Sequence, residues 1–287
     1  MKNIKIKCPA KINLYLNVVS KRDDGYHNIE TIMQKISIYD YIDVSVTESD
    51  NNLINLICNS CDVPDGEDNI VYKAATSYLQ ECKNKYIVKI NLDKRIPVAA
   101  GLAGGSSDAA GVLFALDKTI SEVSNTTLDR IAVKLGADVL FCMRSVCSVC
   151  RGIGELIYDI KPLDSKYDIL VSIGKERIKT SYAYSLVDKY NDLKIKNDID
   201  INNNLMSLMF NSFVEKVSYI YPEVKEQINI LNKNGSLKSI MSGSGTSVFG
   251  IFDSRELLVN AHSELTAKGF TSYVSKPLNT IFDYLVY

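Results

Sequence analysis

The chain has 287 residues, of which 46% are hydrophobic and 23% are charged, and its formal net charge is −1. These values are typical of a globular protein long enough for two modest domains. They leave no basic surface for nucleic acid or an anionic membrane, and no apolar run is long enough to span a bilayer. Because the start, MKNIKIK, lacks the apolar core of a secretion signal, we expect a cytoplasmic protein.

Residues 4–19 alternate between apolar and polar side chains, which predicts a half-buried strand. Ile12 and Leu14 fall on the core face, and Lys11 and Asn13 fall together on the opposite face. A lysine on such a face usually points into water. The strand pattern alone therefore does not assign a function to Lys11.

A turn at residues 21–25 ends in Asp-Gly and leads directly to Tyr26 and His27. An aromatic ring and an imidazole just past a turn can stack on a planar base and form hydrogen bonds with it. The alternative is a partly buried tyrosine beside a solvent-exposed histidine. Further strands are predicted at residues 29–38, 41–47, 53–58 and 86–92, with a helix at 70–82.

Residues 95–110 read RIPVAAGLAGGSSDAA and place three glycines within five residues, just before an apolar run that predicts a helix. We expect that helix to be capped by Ser106, Ser107 or Asp108, because these residue types favour the N-cap position. A glycine-rich loop at a helix N-terminus presents free N–H groups, which suit phosphate. The loop has neither the lysine of a Walker A motif nor the G-x-G-x-x-G pattern. We interpret it as a phosphate site, the alternative being a flexible loop that caps an ordinary helix.

A further helix is predicted at residues 128–135, and Asp138 follows just before an apolar run at 140–142 that predicts a buried strand. A carboxylate in such a place must be paired, hydrogen-bonded or protonated. Asp138 is therefore either a capping residue or a general base or metal ligand.

The seven cysteines include two C-x-x-C pairs, at residues 58–61 and 147–150. No histidine lies near either pair, and strand alternation places Cys147 and Cys150 on opposite faces. We interpret the cysteines as free thiols of a reduced protein rather than as metal ligands or disulfides.

After a linker-like stretch at residues 161–166 the pattern restarts as a small sheet with helices on one side. Residues 188–204 are polar and rich in asparagine, which indicates a long loop. The chain thus divides into residues 1–160 and 161–287, and its fold class is α+β. The second part is predicted to contain strands at 167–173, 237–241, 247–252 and 270–275, and helices at 180–189, 205–219, 222–232 and 255–268.

Four short motifs in this order and spacing together resemble the GHMP kinases. They are PAKIN at residues 9–13, the loop at 97–110, LGADV at 135–139 and SGSG at 242–245. Gly25-Tyr26-His27 and the loop form GLAGGSSDAA resemble the branch that acts on a cytidine-diphosphate-linked sugar alcohol. The resemblance spans nearly the whole chain and is strongest over residues 8–160.

The resemblance implies a two-domain GHMP kinase fold with the active site in the cleft between the domains. It implies an ATP-dependent kinase that uses Mg²⁺ and phosphorylates the 2-hydroxyl of that sugar alcohol in the non-mevalonate isoprenoid pathway. The alternatives are another GHMP kinase, with homoserine or mevalonate as acceptor, or an inactive ligand-sensing relative. Nucleic acid and membrane are not expected partners, and the protein is either a monomer or a homodimer.

The resemblance also implies roles for individual residues. Asp138 would act as general base for the acceptor hydroxyl, and Lys11 would keep it ionised and stabilise a developing alkoxide. Ser107 is the best candidate in the loop for a protein ligand of Mg²⁺, which otherwise binds phosphate oxygens. The ATP phosphates would be held by Pro97, Val98, Ala99, Ala100, Gly101, Leu102, Ala103, Gly104, Gly105, Ser106 and Ser107. The substrate would contact Asn13, Tyr26, His27, Thr180 and Tyr184, with Tyr26 and His27 on the cytosine and Thr180 and Tyr184 covering its other side.

The sequence departs from the family at three positions. Leu140 stands where proline usually follows Asp-Val, Arg151 replaces an acidic residue, and Thr246 replaces a proline after SGSG. We expect the first change to loosen the turn that aims Asp138, because proline would fix φ there. Since none of the three removes a group that carries the chemistry, we expect an active enzyme.

Overall fold

The computed structural model describes residues 2–190 and 205–287. Most of the asparagine-rich segment that is predicted to be a long loop lies outside these residues. The strands of the described part are Lys2–Lys21 (β1), His27–Ser49 (β2), Leu53–Cys58 (β3), Lys85–Asp93 (β4), Cys147–Arg151 (β5), Leu156–Asp159 (β6), Asp168–Ile173 (β7), Phe210–Asn211 (β8), Lys238–Met241 (β9), Val248–Phe252 (β10), Thr271–Ser275 (β11) and Asp283–Val286 (β12). The helices are Ile70–Gln80 (α1), Gly104–Thr119 (α2), Asn125–Leu135 (α3), Ala137–Arg144 (α4), Thr180–Tyr190 (α5), Leu205–Leu208 (α6), Val214–Ile220 (α7), Glu223–Lys233 (α8) and Arg255–Ala267 (α9), with a 3₁₀ turn at Gly66–Asp68.

The larger sheet is built on the long antiparallel hairpin of β1 and β2. Its strand order is β12-β1-β2-β4-β3, with β5 beside the first part of β2, β6 beside β5, and β8 beside β1. The smaller sheet has the order β11-β7-β10-β9, and its neighbouring strands are antiparallel. The α+β class is therefore confirmed.

Three hydrophobic clusters hold these layers together. The first lies between the larger sheet and helices α1 to α4, and the second lies among the helices of the second half and the smaller sheet. The third joins β1, β2 and β5 to β7 and β10, so the two sheets share a core. Both faces of β1 are consequently buried over residues 8–18, with Lys11 4% and Asn13 3% exposed. The half-buried strand predicted from alternation was wrong on this point. The second sheet packs on the face that carries Ile12 and Leu14, and the glycine-rich loop and the SGSG segment lie over Lys11 and Asn13. The division at residue 160 stays a prediction.

Close packing of α2 on β1 fixes the position of the loop that precedes this helix. A Cβ on Gly111 would collide with the Cys8 sulfur, so glycine allows the helix to approach the strand. The backbone N–H of Lys11 donates to the Leu102 carbonyl at 3.0 Å, and Ser107 Oγ donates to the Pro9 carbonyl at 2.8 Å. The loop and the PAKIN segment are therefore held side by side.

Several local predictions were wrong. The apolar run at 140–142 lies inside the helix α4, because a short apolar run does not distinguish a buried helix from a buried strand. The predicted helix at 205–219 is interrupted by β8, which pairs with Tyr15 and Leu16 of β1. The predicted strands at 29–38 and 41–47 are one strand, β2. The short edge strand β12 was not predicted, and its residues are exposed.

The cap of α2 also differs from its prediction. The helix begins at Gly104 after Ala103, whose φ of 55° is left-handed, so the two serines and Asp108 lie in the first turns. Within the described residues, the helices are too short or too polar to cross a bilayer.

Candidate active site

A cleft of about 1000 Å³ lies between the two halves of the chain. Its walls come from β1 and β2, the glycine-rich loop, the junction of α3 and α4, helix α5 and the SGSG segment. Every residue of the predicted phosphate loop from Pro97 to Ser106 lines it, as do Lys11, Asp138, Asn13, Tyr26, His27, Thr180 and Tyr184. The structure thus brings together nearly all of the residues predicted to form the site.

Ser107 is the exception among the predicted residues. Its side chain is fully buried and donates to the Pro9 carbonyl, and its N–H donates to the Ala103 carbonyl at 2.9 Å. Ser107 therefore fastens the loop to β1 and does not reach the cleft, so it is not positioned to bind Mg²⁺. Among the described residues, no three His, Cys, Asp or Glu side chains cluster as a metal site, and all seven cysteines are free thiols.

The glycine-rich loop takes left-handed backbone conformations that only certain residues adopt easily. Gly101 has a φ of 71°, and a Cβ there would lie 2.5 Å from the Ser242 carbonyl oxygen. A Cβ on Gly243 would in turn lie 3.2 Å from the Gly101 carbonyl oxygen. Ser242 Oγ donates to that carbonyl at 3.1 Å. The two glycine-rich segments, far apart in sequence, are therefore in direct backbone contact at the wall of the cleft.

The start of α2 lines the same cleft and carries the N–H groups that a helix leaves unpaired. The first intrahelical bond runs from Ser107 to Ala103, so the N–H groups of Gly104, Gly105 and Ser106 precede it. The positive end of the helix dipole lies at the same place. This arrangement suits a phosphate group.

Lys11 and Asp138 form an ion pair in the cleft. Lys11 Nζ lies 3.4 Å from Asp138 Oδ2, and it donates to Asn13 Oδ1 at 2.8 Å and to the Gly101 carbonyl at 3.4 Å. The Lys11 side chain is 5% exposed, whereas that of Asp138 is 34% exposed and can reach a ligand. Asp138 lies in the first turn of α4, where the helix dipole favours a negative charge. Leu140 is inside the same helix, so the predicted loosening of a turn was wrong.

The amide of Asn13 is held in one orientation. Its Nδ2 donates to Thr31 Oγ1 at 2.8 Å, and that hydroxyl donates to the Tyr15 carbonyl at 2.6 Å. Asn13 Oδ1 is consequently the atom that turns toward Lys11 Nζ. This chain of bonds fixes the ammonium group beside Asp138.

The other end of the cleft carries the aromatic residues. Tyr26 is 62% exposed, but the side chain of His27 is only 7% exposed, which excludes the solvent-exposed alternative for this histidine. The Tyr184 ring stacks on the His27 ring with centroids 4.6 Å apart, and burial raises the pKa of Tyr184 to about 12. Thr180 Oγ1 lies 3.2 Å from Ser244 Oγ.

A buried cluster of charged side chains packs against the phosphate loop. Lys94 Nζ donates to Asp40 Oδ2 at 2.5 Å and to Asp108 Oδ2 at 2.8 Å, and all three side chains are at most 4% exposed. Burial lowers the pKa of Lys94, but the two carboxylates outweigh it and the pKa is raised. Burial and the nearby Asp40 raise the pKa of Asp108 well above its usual range. A Cβ on Gly104 would lie 3.0 Å from Lys94 Nζ, so the cluster packs against the start of α2.

Two of the three departures from the family pattern have partners in the structure. The Arg151 guanidinium lies 2.8 Å from Glu30 Oε1, so its added charge is matched. Thr246 Oγ1 donates to the Glu176 carbonyl at 2.5 Å.

The motifs did not indicate two lysines and two aspartates that organise the site, namely Lys21, Lys94, Asp40 and Asp188, and Asp108 was considered only as a helix cap. One signal for Asp188 was present, since it lies four residues after Tyr184 on a predicted helix and so on the same face. Asp40 and Lys94 are distant in sequence, and neither stands in a recognisable pattern.

The sequence matches the models of the GHMP kinases N-terminal domain over residues 69–145 and the GHMP kinases C-terminal domain over residues 192–270. It is 38% identical to a 4-diphosphocytidyl-2-C-methyl-D-erythritol kinase of Clostridium botulinum (strain Alaska E43 / Type E3), covering 95% of this chain and 99% of that protein. It is 39% identical to the protein of that name from Thermoanaerobacter pseudethanolicus (strain ATCC 33223 / 39E), covering 92% and 93%.

Solved structures agree with these matches. A crystal structure of 4-(cytidine 5'-diphospho)-2C-methyl-D-erythritol kinase superposes with a TM-score of 0.81 at 29% identity, covering 96% of this chain and all of that one. A homoserine kinase from Cytophaga hutchinsonii, at 17% identity and a TM-score of 0.74 over 99% and 97% of the two chains, shares the fold. The fold and the matched domains define a GHMP kinase. Within that class the chain belongs to the 4-diphosphocytidyl-2-C-methyl-D-erythritol kinase family.

Proposed function

We propose that this chain transfers the γ-phosphoryl group of ATP to the 2-hydroxyl of 4-diphosphocytidyl-2-C-methyl-D-erythritol. The observation that carries the proposal is the Lys11–Asp138 pair, which shares one cleft with the N-terminus of α2. Membership of the family supplies the identity of the acceptor. The shared cleft supports two adjacent ligands, because its volume of about 1000 Å³ is at the upper end for small-molecule sites and both the phosphate loop and the aromatic residues line it.

The chemical step follows from what these residues can do. The acceptor oxygen attacks the γ-phosphorus while the bond from that phosphorus to the bridging oxygen of ADP breaks. Asp138 accepts the hydroxyl proton as the new bond forms, and Lys11 offsets the negative charge near the acceptor oxygen. The N–H groups at the start of α2 bind the phosphate oxygens. Positioning and charge stabilisation of this kind provide most of the catalysis in phosphoryl transfer.

Mg²⁺ fits the oxygen donors of the cleft. Ser106 offers a hydroxyl at the start of α2 and lines the cavity. Mg²⁺ in kinases binds mainly phosphate oxygens and water with few protein groups, so Ser106 would be its protein ligand while Asp138 stays free to act as the base. When bound, the ion neutralises charge on the phosphates.

The aromatic end of the cleft is proposed to bind the cytidine moiety. His27 would form hydrogen bonds to the edge of the cytosine, and the exposed ring of Tyr26 is free to stack on its face. Asn13 and Thr180 also line the cleft and would contact the sugar alcohol. Tyr184 would act by supporting His27, on which its ring is stacked.

The test is acceptor selectivity. The purified protein is incubated with ATP, Mg²⁺ and one acceptor, and ADP release is measured, with the product analysed by mass spectrometry. We expect ADP and a singly phosphorylated product with the cytidine compound and only background with homoserine or mevalonate. Turnover of homoserine or mevalonate without turnover of the cytidine compound contradicts the proposal, and so does binding of both substrates without ADP release.

A further inference from the structure

The histidine at the base end of the cleft is held by two residues of α5. Tyr184 and Asp188 lie four residues apart, so they share one face of the helix. The Tyr184 ring covers one face of His27 with the ring planes 24° apart. Asp188 Oδ1 lies 2.7 Å from His27 Nε2 at the ring edge. His27 begins β2 in the first half of the chain, so its ring is fixed by residues from the second half.

The ionisation of Asp188 decides which imidazole nitrogen carries the hydrogen. Lys21 Nζ lies 2.6 Å from Asp188 Oδ2, the carboxylate oxygen that does not contact His27. Burial raises the pKa of Asp188, but the hydrogen bonds from Lys21 and His27 outweigh it and the pKa is lowered. An ionised carboxylate only accepts hydrogen bonds, so Nε2 is the donor. In the neutral ring Nδ1 is then an acceptor.

We propose that Asp188 is a positioning residue for base specificity: it locks His27 in the tautomer whose Nδ1 accepts a hydrogen bond from an exocyclic amino group. This inference rests on the proposed function, in which His27 meets the cytosine. Cytosine carries an amino group where uracil carries a carbonyl oxygen. Against uracil the Nδ1 lone pair would face a second acceptor, and the 7% exposure of this side chain leaves little access for water. Sites built around one hydrogen bond reject ligands that cannot form it.

The experiment compares the wild-type protein with Asp188→Asn and Asp188→Ala. The acceptors are the cytidine-diphosphate-linked sugar alcohol and its uridine-diphosphate-linked analogue. An asparagine amide can accept from Nε2 or donate to it, so the ring is no longer confined to one tautomer. We expect the KM for the cytidine compound to rise about tenfold in both variants, as for loss of a hydrogen bond to a charged group. The preference for cytidine over uridine should narrow, with kcat and the KM for ATP unchanged.

Asp129→Asn is the matched control. Its carboxylate also forms an ion pair, with Arg144 at 2.7 Å, but Asp129 does not line the cleft. This variant should keep wild-type constants for both acceptors. It therefore separates the loss of a particular carboxylate from the general loss of a surface charge.

The outcomes are distinct. An unchanged KM for the cytidine compound in folded Asp188→Asn and Asp188→Ala overturns the inference, as does an unchanged preference between the two bases. An equal rise in the KM for ATP also overturns it, because that result indicates disruption of the whole cleft. If the wild-type protein does not phosphorylate the cytidine compound, the proposed function itself fails. If it does and the variants match it, only the role of Asp188 fails.

Discussion

The contact between the two glycine-rich segments gives a sharp prediction for Gly101→Ala. The φ of 71° at this position costs an L-residue about 1–2 kcal/mol. The new Cβ would also lie 2.5 Å from the Ser242 carbonyl oxygen, which is backbone and cannot rotate away. Forcing an extra carbon into a packed site typically costs about 1–3 kcal/mol more. We therefore expect the free energy of unfolding to fall by about 2–5 kcal/mol in total.

Gly66→Ala is the control for the backbone term alone. Gly66 has a φ of 56° in the same left-handed region, but a Cβ there meets nothing within 4 Å. Its loss should be limited to about 1–2 kcal/mol. Urea unfolding of both variants measures the difference, and the KM for ATP should rise only in Gly101→Ala because only that residue shapes the phosphate loop. Equal losses of stability together with an unchanged KM for ATP would refute the reasoning.

Two further predictions concern buried lysines. Lys94→Met leaves Asp40 and Asp108 buried without a cation, so the free energy of unfolding in urea should fall by about 3–5 kcal/mol. The control Lys233→Met breaks an exposed ion pair and should lower it by too little to resolve. Similar losses of stability in the two variants would contradict the role of the cluster. Burial lowers the pKa of Lys35 from 10.5 to about 8. Between these values the unfolded chain holds a proton that the folded chain has released, so this lysine makes stability rise with pH across the window. From pH 7 to pH 10, the unfolding free energy of the wild type should therefore rise by about 2 kcal/mol relative to that of Lys35→Met. A difference between the two proteins that does not change with pH would contradict the lowered pKa of Lys35.

The elements with strong periodicity could be predicted from the sequence, and those set by tertiary contacts could not. The strand β4 and the helices α1 and α3 lie close to their predicted bounds, because each buries one regular face. The strand β1 also lies close to its predicted bounds, although both faces are buried along its middle. The apolar stretch after Asp138 was misread as a strand, since a buried helix of eight residues has the same composition as a buried strand. Residues 210–211 form the strand β8 only through their pairing with the edge of β1.

The residues of the candidate site divide in the same way, into those that local sequence predicts and those that it does not. The glycines and serines of the loop indicate phosphate binding by themselves, because their local conformation produces the site. The resemblance to the GHMP kinases indicated Lys11, Asp138 and His27. Local patterns did not reveal the partners of Asp188 or Lys94, because only folding brings them near. Asp188 contacts His27, 161 residues away, and Lys94 contacts Asp40, 54 residues away.

The central claim is that Asp138 accepts the proton from the acceptor hydroxyl. Asp138→Asn keeps the size of the side chain and removes the basic group. Its kcat and its dissociation constant for ATP, measured on one preparation, test the claim most directly. General-base catalysis contributes about 10²–10⁴-fold, so kcat should fall by that factor while ATP binding stays at the wild-type level. A kcat close to the wild-type value, or a loss confined to ATP affinity, would contradict the assignment of Asp138 as the base.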